Sequence, residues 1–275
     1  MYKVGILYIC TGVYDVFWKE FFLSCEENLL NDSELHYYVF TDAKSVYGEE
    51  NCSRIHRIYQ ENLGWPGNTL YRYHIFCKYK DILSKMDYLF YLNANIVVKR
   101  PVTEEEFLPI KENLLFVRHP LFYNKPPYER TYERHRRSTA YIPFSKGTEY
   151  IVGGCNGGKT EDFFKMAETI KERTDIDDKH NIIAAWHDES HINRYLFDLQ
   201  KQGKDNICKI LSPSFCYPEG FDLPFEQVLV CRLKERYFNV TNIKEKPLTI
   251  SQRIDVQMLR LRQNICKLWL NNKKG

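Results

Sequence analysis

Short apolar strands alternate with helical segments over the first 95 residues, and this alternation constrains the fold more than any other feature. Strands are predicted at residues 3–9, 36–42, 54–59 and 87–95, and helices at residues 13–29 and 69–86. This order favours an α/β domain built on a mixed, largely parallel sheet. Ligands bind at the carboxyl ends of strands in such sheets. The segments CTG, FTD and NAN, which follow three of the strands, are therefore expected at one edge.

The composition excludes several classes of protein. A net charge of +3 is too small to indicate a nucleic-acid-binding protein. Nine cysteines without a CxxC pair argue against a disulfide framework and favour a reducing compartment. The first apolar run is too short to span a bilayer, and no small-residue cleavage site follows it. We therefore expect a cytoplasmic protein without a secretory signal or a membrane anchor.

The middle of the chain changes character. Residues 119–141 are polar and aromatic with little periodicity, which is typical of either a binding loop or a disordered segment. The pairs Gly153-Gly154 and Gly157-Gly158 follow, and they permit either close backbone approach to a ligand or a turn into the next helix. Further helices are predicted at residues 160–172 and from residue 186, and two short strands within residues 202–236.

The last 35 residues, 241–275, are predicted to be a separate tail. Within it, Ile254, Met258, Leu261, Ile265 and Leu268 follow helical spacing, and basic residues surround them. A basic amphipathic helix favours contact with a membrane surface or a partner helix, and packing on the domain is the alternative. Association driven by these charges, with a membrane or a nucleic acid, would weaken in high salt.

Six motifs occur in a characteristic order: YYVFTD, FYLNAN, HPLFY, TYERHRRSTAYIP, the double-glycine stretch and WHDESHINRYL. Together they resemble glycosyltransferase family 6, which includes the blood-group A and B transferases and α-1,3-galactosyltransferase, and in particular its soluble bacterial members. The resemblance implies a GT-A fold in a single catalytic domain, residues 1–240. Its UDP-binding half would be residues 1–118 and its acceptor-binding and catalytic half residues 119–240. It also implies transfer of GalNAc or Gal, with retention of the α configuration, to the 3-hydroxyl of a galactoside.

One motif departs from the usual GT-A pattern. Most GT-A enzymes place Asp-x-Asp after this strand to bind a divalent cation, whereas this chain has Asn93 and Asn95. Neutral amides are poor ligands for a hard cation, so no metal and no other cofactor are expected. The asparagine amides would instead donate to ribose or phosphate. Fixed cations would then neutralise the leaving UDP. The family pattern implies that these are Arg72, Arg232, Lys234 and Arg236.

Two other patterns resemble metal sites and are read differently. Asp175 and Asp177 form a D-x-D sequence, but it follows a predicted helix in a charged stretch and is interpreted as a solvated turn. His187 and His191 are four residues apart, yet the sequence is not H-E-x-x-H and offers no third ligand, so no zinc site is predicted.

The resemblance assigns the catalytic role to Glu189. Retention requires a carboxylate near C1 that acts as a nucleophile, or attack from the face of the leaving group. Glu189 matches the proposed nucleophile of the family, and either covalent catalysis or electrostatic stabilisation remains open. Asp188 matches a residue that binds hydroxyls of the donor sugar. The alternative for both carboxylates is capping of the following helix.

The remaining site residues are also assigned by resemblance. Four match or lie near acceptor-binding positions: His119, Thr131, Trp186 and Glu219. Six are expected to contact the donor: Cys10, Thr11 and Tyr14 near the uridine, and Val152, Gly153 and Gly154 near the sugar. The small Gly154 leaves volume for an N-acetyl group and favours UDP-GalNAc, with UDP-Gal as the alternative.

The implied acceptor is a fucosylated galactoside, Fucα1-2Gal, and we expect it on a lipid-linked precursor assembled at the cytoplasmic face of the membrane. The basic tail would provide peripheral contact with that surface. A non-catalytic protein that binds nucleotide sugars or glycans is the alternative from a different class, and the Asn-Ala-Asn sequence is its only support.

Overall fold

The computed structural model describes residues 1–239, so the predicted amphipathic tail lies outside the described residues. The strands are β1 Lys3–Ile9, β2 Glu34–Thr41, β3 Ile55–Tyr59, β4 Tyr88–Leu92, β5 Ile96–Val98, β6 Leu114–Arg118, β7 Ile151–Lys159, β8 Cys208–Leu211, β9 Tyr217–Pro218 and β10 Leu229–Cys231. The α-helices are α1 Trp18–Asn28, α2 Gly64–Leu70, α3 Arg72–Lys78, α4 Lys80–Leu83, α5 Glu104–Phe107, α6 Thr160–Lys179 and α7 Asp188–Lys201.

Seven strands form the central sheet in the order β3-β2-β1-β4-β7-β6-β8. The pairs among β3, β2, β1 and β4 are parallel, β7 runs antiparallel to both of its neighbours, and β8 is parallel to β6. Strands β5, β10 and β9 form a second, three-stranded sheet. The expectation of a mixed, largely parallel sheet in an α/β fold of the GT-A type is confirmed.

Both faces of the central sheet are buried, and the alternation of side chains along β1 shows how. Val4, Ile6 and Tyr8 face the cluster that includes Trp18 of α1. Leu7 and Ile9 face the opposite cluster, which contains residues of α3, α6 and α7. A strand covered on both faces has an almost continuous apolar sequence. For this reason β1 could be predicted with its observed limits.

Several predicted elements differ from the structure. The single helix predicted at residues 69–86 is three short helices, α2 to α4, with breaks at Tyr71 and Tyr79. Both glycine pairs lie inside β7 and form no turn. A Cβ atom at Gly157 would lie 2.2 Å from the Leu89 carbonyl oxygen, and one at Gly158 2.2 Å from that of Asn113. The second pair therefore permits close contact with β4 and β6.

The interpretation of Asp175 and Asp177 as a solvated turn is wrong. Both residues lie inside α6, and Asp177 is only 2% exposed. Its carboxylate accepts hydrogen bonds from Ser138 Oγ (2.6 Å) and from the Thr139 backbone N–H (2.8 Å). Asp177 therefore anchors the long loop, and the helix continues past it to Lys179.

Residues 119–150 contain no helix or strand, as expected for a loop. The loop packs through buried side chains of its own, including Tyr132 and Ile142. Among residues 1–239, the helices are all too short or too polar to cross a membrane.

Candidate active site

The first turn of α7 meets β7 and the long loop, and this junction forms the centre of the site. His187, with φ of 51°, makes the sharp turn that starts α7 at Asp188. Asn193, one turn along the helix, is buried and bridges the elements. Its side chain accepts from the Ile151 backbone N–H (3.0 Å) and donates to the Ile151 and Glu189 carbonyl oxygens (2.8 and 2.9 Å). These bonds fix the first turn of α7 against β7.

Glu189 points from this turn toward β7. Its carboxylate accepts a hydrogen bond from the Gly153 backbone N–H (2.8 Å) and another from the Tyr150 hydroxyl (2.9 Å). Burial raises the pKa of Glu189 to about 7, and these two hydrogen bonds oppose the rise because they stabilise the charged form. The carboxylate thus binds β7 and Tyr150 instead of capping α7.

Tyr150 connects Glu189 to the long loop, and the sequence analysis missed it. The Thr131 hydroxyl donates to the Tyr150 oxygen (2.9 Å), and the Tyr150 hydroxyl in turn donates to Glu189 Oε1. The Tyr150 ring is buried and packs against His119 and Tyr132. A buried tyrosine hydroxyl requires a polar partner, but nothing in the sequence indicates which one.

We expect Tyr150→Phe to shift the pH profile of the enzyme. Loss of the hydroxyl removes a hydrogen bond that lowers the pKa of Glu189, so this pKa rises. The acid limb of kcat/KM then moves upward by about one pH unit, which corresponds to one charge-assisted hydrogen bond of about 1.5 kcal/mol. The measurement is kcat/KM between pH 5 and 9. Tyr132→Phe is the matched control, because its hydroxyl donates to the Glu149 carbonyl oxygen. An acid limb that stayed in place in Tyr150→Phe would contradict the role of this bond.

Arg72 and Asp188 form a buried ion pair beside Glu189. Arg72 Nη1 lies 2.5 Å from Asp188 Oδ2, and the two side chains are 6% and 2% exposed. The same nitrogen donates to the Gly153 carbonyl oxygen (3.1 Å), and the guanidinium stacks on Tyr91 at 3.8 Å. Burial raises the pKa of Asp188 to about 6, and Arg72 opposes this rise. The Arg72 guanidinium and the Asp188 carboxylate thus stabilise each other's charged forms.

The Asn93 and Asn95 amides are bonded to each other and to the protein. Asn93 Oδ1 accepts from the Tyr91 hydroxyl (3.0 Å), and Asn93 Nδ2 donates to Asn95 Oδ1 (2.9 Å). Asn95 Nδ2 donates to the Arg232 carbonyl oxygen (2.6 Å). Both amide oxygens thus already have donors. The described part of the chain also has no cluster of three or more His, Cys, Asp or Glu side chains suited to a metal ion. The residues at this position do not fit a divalent cation.

The segment after β10 packs against the residues that follow β1. Arg232 is buried, with hydrogen bonds to Glu20 and to the Phe17 and Asn95 carbonyl oxygens (both 3.2 Å). Lys234 Nζ lies 5.0 Å from the centre of the Tyr14 ring. In this arrangement Arg232 donates its hydrogen bonds to oxygen atoms of the protein itself. Lys234, in contrast, lies where the uridine was expected.

Glu219 and Arg236 bind each other. Glu219 Oε1 accepts from Arg236 Nη1 (2.7 Å), and Glu219 Oε2 accepts from the Leu233 backbone N–H (2.7 Å). Both carboxylate oxygens thus hold the segment after β10. The structure does not bring Glu219 into contact with the other predicted acceptor residues.

Cys10, Thr11 and Tyr14 follow β1, as predicted. Cys10 and Thr11 are buried, and the Cys10 backbone N–H donates to the Phe40 carbonyl oxygen (2.9 Å). The Tyr14 ring packs on Phe238 at 5.1 Å. Of these residues, Tyr14 offers the most accessible side chain to a nucleotide base.

The other predicted acceptor residues lie close to Glu189: Thr131 and His119 contact Tyr150, and the Trp186 carbonyl oxygen accepts from the Glu189 backbone N–H. Trp186 is 49% exposed, so its indole face is free to stack on the apolar face of a sugar. Burial lowers the pKa of His119 to about 4, so this residue is neutral at pH 7. Its Nδ1 accepts from the Leu121 backbone N–H (3.1 Å), which leaves Nε2 as a hydrogen-bond donor.

The first glycine pair lies beside Glu189 and Asn93. A Cβ atom at Gly153 would lie 3.2 Å from Glu189 Cβ, so a side chain there would displace the carboxylate. At Gly154, a Cβ atom would lie 3.5 Å from both Asn93 Cβ and Cys216 Sγ, which is ordinary contact distance. Val152 is partly buried and packs against the core. A methyl group at Gly154 would thus fit in this structure without a clash.

A continuous chain of contacts links seven of the predicted residues. It runs from Thr131 through Tyr150 to Glu189 and Gly153, and then through Arg72 and Tyr91 to the asparagine pair and Arg232. Tyr91 was missed in the sequence. Its spacing of two residues from Asn93 is the signal that could have revealed it, because alternate residues of a strand share a face.

Comparison with known proteins identifies close relatives. The model of the family described as Glycosyltransferase family 6 matches residues 2–242. The O-antigen biosynthesis glycosyltransferase WbnI of Escherichia coli is 34% identical over 242 residues, which cover 88% of this chain and 99% of WbnI. The Globoside alpha-1,3-N-acetylgalactosaminyltransferase 1 of Homo sapiens is 27% identical over 223 residues, 78% of this chain and 61% of the human protein. The Histo-blood group ABO system transferase 2 of Rattus norvegicus is 26% identical over 222 residues, which cover 78% of this chain and 64% of the rat protein. The chain thus spans less than two thirds of these two animal relatives.

Proposed function

The chain belongs to glycosyltransferase family 6, and from this we propose that it transfers GalNAc from UDP-GalNAc to the 3-hydroxyl of a galactoside, with retention of the α configuration and without a metal ion. The observation that carries the proposal is the position of Glu189. Its carboxylate accepts from the Gly153 backbone N–H of β7 and from Tyr150, which also binds Thr131 of the long loop. Donor and acceptor would meet there.

In a double displacement, a Glu189 carboxylate oxygen bonds to C1 of the donor sugar. The bond between C1 and the phosphate oxygen breaks, and UDP leaves with the electron pair. The acceptor 3-hydroxyl then bonds to C1, the bond to Glu189 breaks, and the hydroxyl proton passes to the departing phosphate or to water. The two inversions give net retention. In the electrostatic alternative, Glu189 stabilises an oxocarbenium-like state, and both mechanisms require the ionised form of Glu189.

Arg72 and Asp188 would bind the donor sugar and its phosphates beside Glu189. Arg72 is held by Asp188 and by stacking on Tyr91, so its charge is fixed before the donor binds. Fixed charges stabilise a transition state without the cost of reorganisation. Lys234, which lies over Tyr14, would provide a second cation on the nucleotide side.

The asparagine pair supports catalysis without a metal. Its amide oxygens are occupied by protein donors, and no carboxylate lies at either position. Asn93 and Asn95 would orient the ribose and the phosphates through hydrogen bonds, and the protein's own cations would neutralise UDP. No other cofactor is proposed.

Gly154 supports the choice of UDP-GalNAc over UDP-Gal, which remains the alternative donor. We expect Gly154→Ala to lower the ratio of kcat/KM for UDP-GalNAc to that for UDP-Gal by about 10- to 100-fold. A methyl group there would fill space needed by the N-acetyl group, and one methyl changes specificity by this order. Initial rates of UDP release with each donor and 2′-fucosyllactose give the ratio.

Gly153→Ala is the matched control for this prediction. Its Cβ would press on Glu189, so it should slow both donors to a similar extent and leave the ratio unchanged. A wild-type preference for UDP-Gal, or a ratio unaffected by Gly154→Ala, would contradict the donor assignment. Absence of transfer from both donors would contradict the proposed reaction.

The proposed acceptor is a fucosylated galactoside, Fucα1-2Gal, on a lipid-linked glycan precursor. The O-antigen biosynthesis role in the name of the Escherichia coli relative and the blood-group role in the name of the rat relative support this choice. We place the reaction at the cytoplasmic face of the membrane, with peripheral contact through residues 241–275. Rates with 2′-fucosyllactose and with lactose would show whether fucose is recognised.

A further inference from the structure

The long loop carries a basic surface that the reaction centre does not use. Two adjoining depressions of about 500 and 570 Å³ share Arg136, Arg137 and Tyr141 as lining residues. Arg173 and Arg194, from α6 and α7, line the second depression. We call these five residues and the space between them the arginine groove. The sequence HRR in the loop is the local signal for it.

The groove is built on a rigid support. Asp177 binds Ser138 and Thr139, which follow the two loop arginines directly. The Thr139 hydroxyl donates to the Arg173 carbonyl oxygen (3.1 Å), and Arg194 donates to the Tyr141 carbonyl oxygen. The loop is thus tied to both helices on either side of the groove.

The groove has an excess of positive charge. Arg136 and Arg137 are exposed, and within residues 1–239 neither forms an ion pair or a hydrogen bond. Arg173 and Arg194 share one carboxylate, Asp198, at 2.6 and 3.0 Å. In the same part of the chain, the buried Arg173 Nη1 has no hydrogen-bond acceptor. Glu172 at the rim is the one acidic lining residue of the second depression, so four guanidinium groups face two carboxylates.

The same loop contacts the acceptor side of the active site. Thr131 lies five residues before Arg136 and binds Tyr150. The Glu133 carboxylate accepts from the Ala185 backbone N–H (2.6 Å), next to the exposed Trp186. An acceptor bound at Thr131 and Trp186 would therefore lie beside the loop that carries the arginine groove.

We propose that the arginine groove binds the diphosphate that links an acceptor glycan to its lipid. The inference rests on the proposed function, because it assumes that the galactoside end of the acceptor lies at Glu189. Guanidinium groups bind phosphate oxygens with paired hydrogen bonds, and a diphosphate offers two adjacent anionic groups. The two adjoining depressions, with the loop arginines between them, match this arrangement.

The test compares two acceptors with the same fucosylated glycan, one joined to a decyl chain through a diphosphate and the other a neutral decyl glycoside. We expect the wild-type KM to be about tenfold lower for the diphosphate acceptor, equivalent to about 1.4 kcal/mol. Arg136→Gln with Arg137→Gln should remove most of this advantage and leave kcat and the neutral acceptor unchanged. High salt should reduce the advantage as well, because exposed charges are screened.

Lys179→Gln with Lys204→Gln removes the same charge from exposed positions outside the groove and should preserve the advantage. Equal wild-type KM values for the two acceptors, or equal losses with both in the arginine variant, would overturn the proposal. Titration with decyl diphosphate alone gives a readout without turnover. Saturable binding that the arginine variant loses would support the groove even if the transfer reaction failed.

Vesicles distinguish a diphosphate site from a general membrane surface. The groove should bind phosphatidylcholine vesicles that contain a polyprenyl diphosphate more tightly than phosphatidylglycerol vesicles of equal charge. Equal binding to both, lost together in the arginine variant, would overturn the diphosphate assignment in favour of a membrane-contact surface.

Discussion

Glu189→Gln is expected to lower kcat by about 1,000-fold or more and to change the affinity for UDP by no more than a few fold. The amide has a similar shape but carries no negative charge, so it neither attacks C1 nor stabilises positive charge there. A factor of 1,000 corresponds to about 4 kcal/mol of lost transition-state stabilisation. The Gly153 backbone N–H would keep the amide oxygen in place, and the amide nitrogen would donate to the Tyr150 oxygen instead.

Single-turnover kinetics and UDP titration measure the two quantities separately. Glu161→Gln is the matched control, because Glu161 is an exposed carboxylate of α6 that pairs with nearby Lys165. This substitution should leave kcat unchanged. A Glu189→Gln enzyme within tenfold of the wild-type kcat would remove Glu189 from the reaction. A large loss of UDP affinity would assign it to donor binding.

Asp188→Ala is expected to lower the free energy of unfolding by about 3–5 kcal/mol. The substitution leaves the buried Arg72 guanidinium without its counter-ion, and an uncompensated buried charge costs this much. Urea unfolding monitored by tryptophan fluorescence measures the change. Glu168→Ala breaks the exposed ion pair with Lys80 and serves as the control, with an expected cost below about 1 kcal/mol.

The paired substitution Arg72→Met with Asp188→Leu separates charge from packing. Removing both charges should recover much of the stability lost in Asp188→Ala, because apolar side chains of similar volume can replace a buried ion pair. A stability of Asp188→Ala equal to that of Glu168→Ala would show that Arg72 does not depend on Asp188.

The fold could be predicted where the sequence pattern was strong. The limits of β1 were correct because both faces of the strand are buried, which produces a continuous apolar run. The start of α6 at Thr160 was also correct, but its end was not. Asp177 looked like part of a polar turn, and only the tertiary contacts with Ser138 and Thr139 show why an aspartate is buried there.

The candidate site was less predictable because it depends on partners distant in sequence. The family resemblance identified Glu189, Asp188 and Arg72 as site residues. It did not indicate that Tyr150 bridges Thr131 and Glu189. The local pattern did not separate the two glycine pairs, and only the resemblance assigned Gly153 and Gly154 to the donor sugar. In the structure, Gly153 lies against Glu189, whereas Gly157 and Gly158 permit close strand packing.

The proposal that this protein is a retaining transferase that needs no metal ion is tested most directly by proton NMR. The sample is the product formed from UDP-GalNAc and 2′-fucosyllactose in excess EDTA. We expect the small anomeric coupling of an α1-3 linked GalNAc to appear, at the same rate with and without EDTA. A β-linked product would contradict retention. A reaction that stopped in EDTA and resumed with Mn²⁺ would contradict the inference from Asn93 and Asn95.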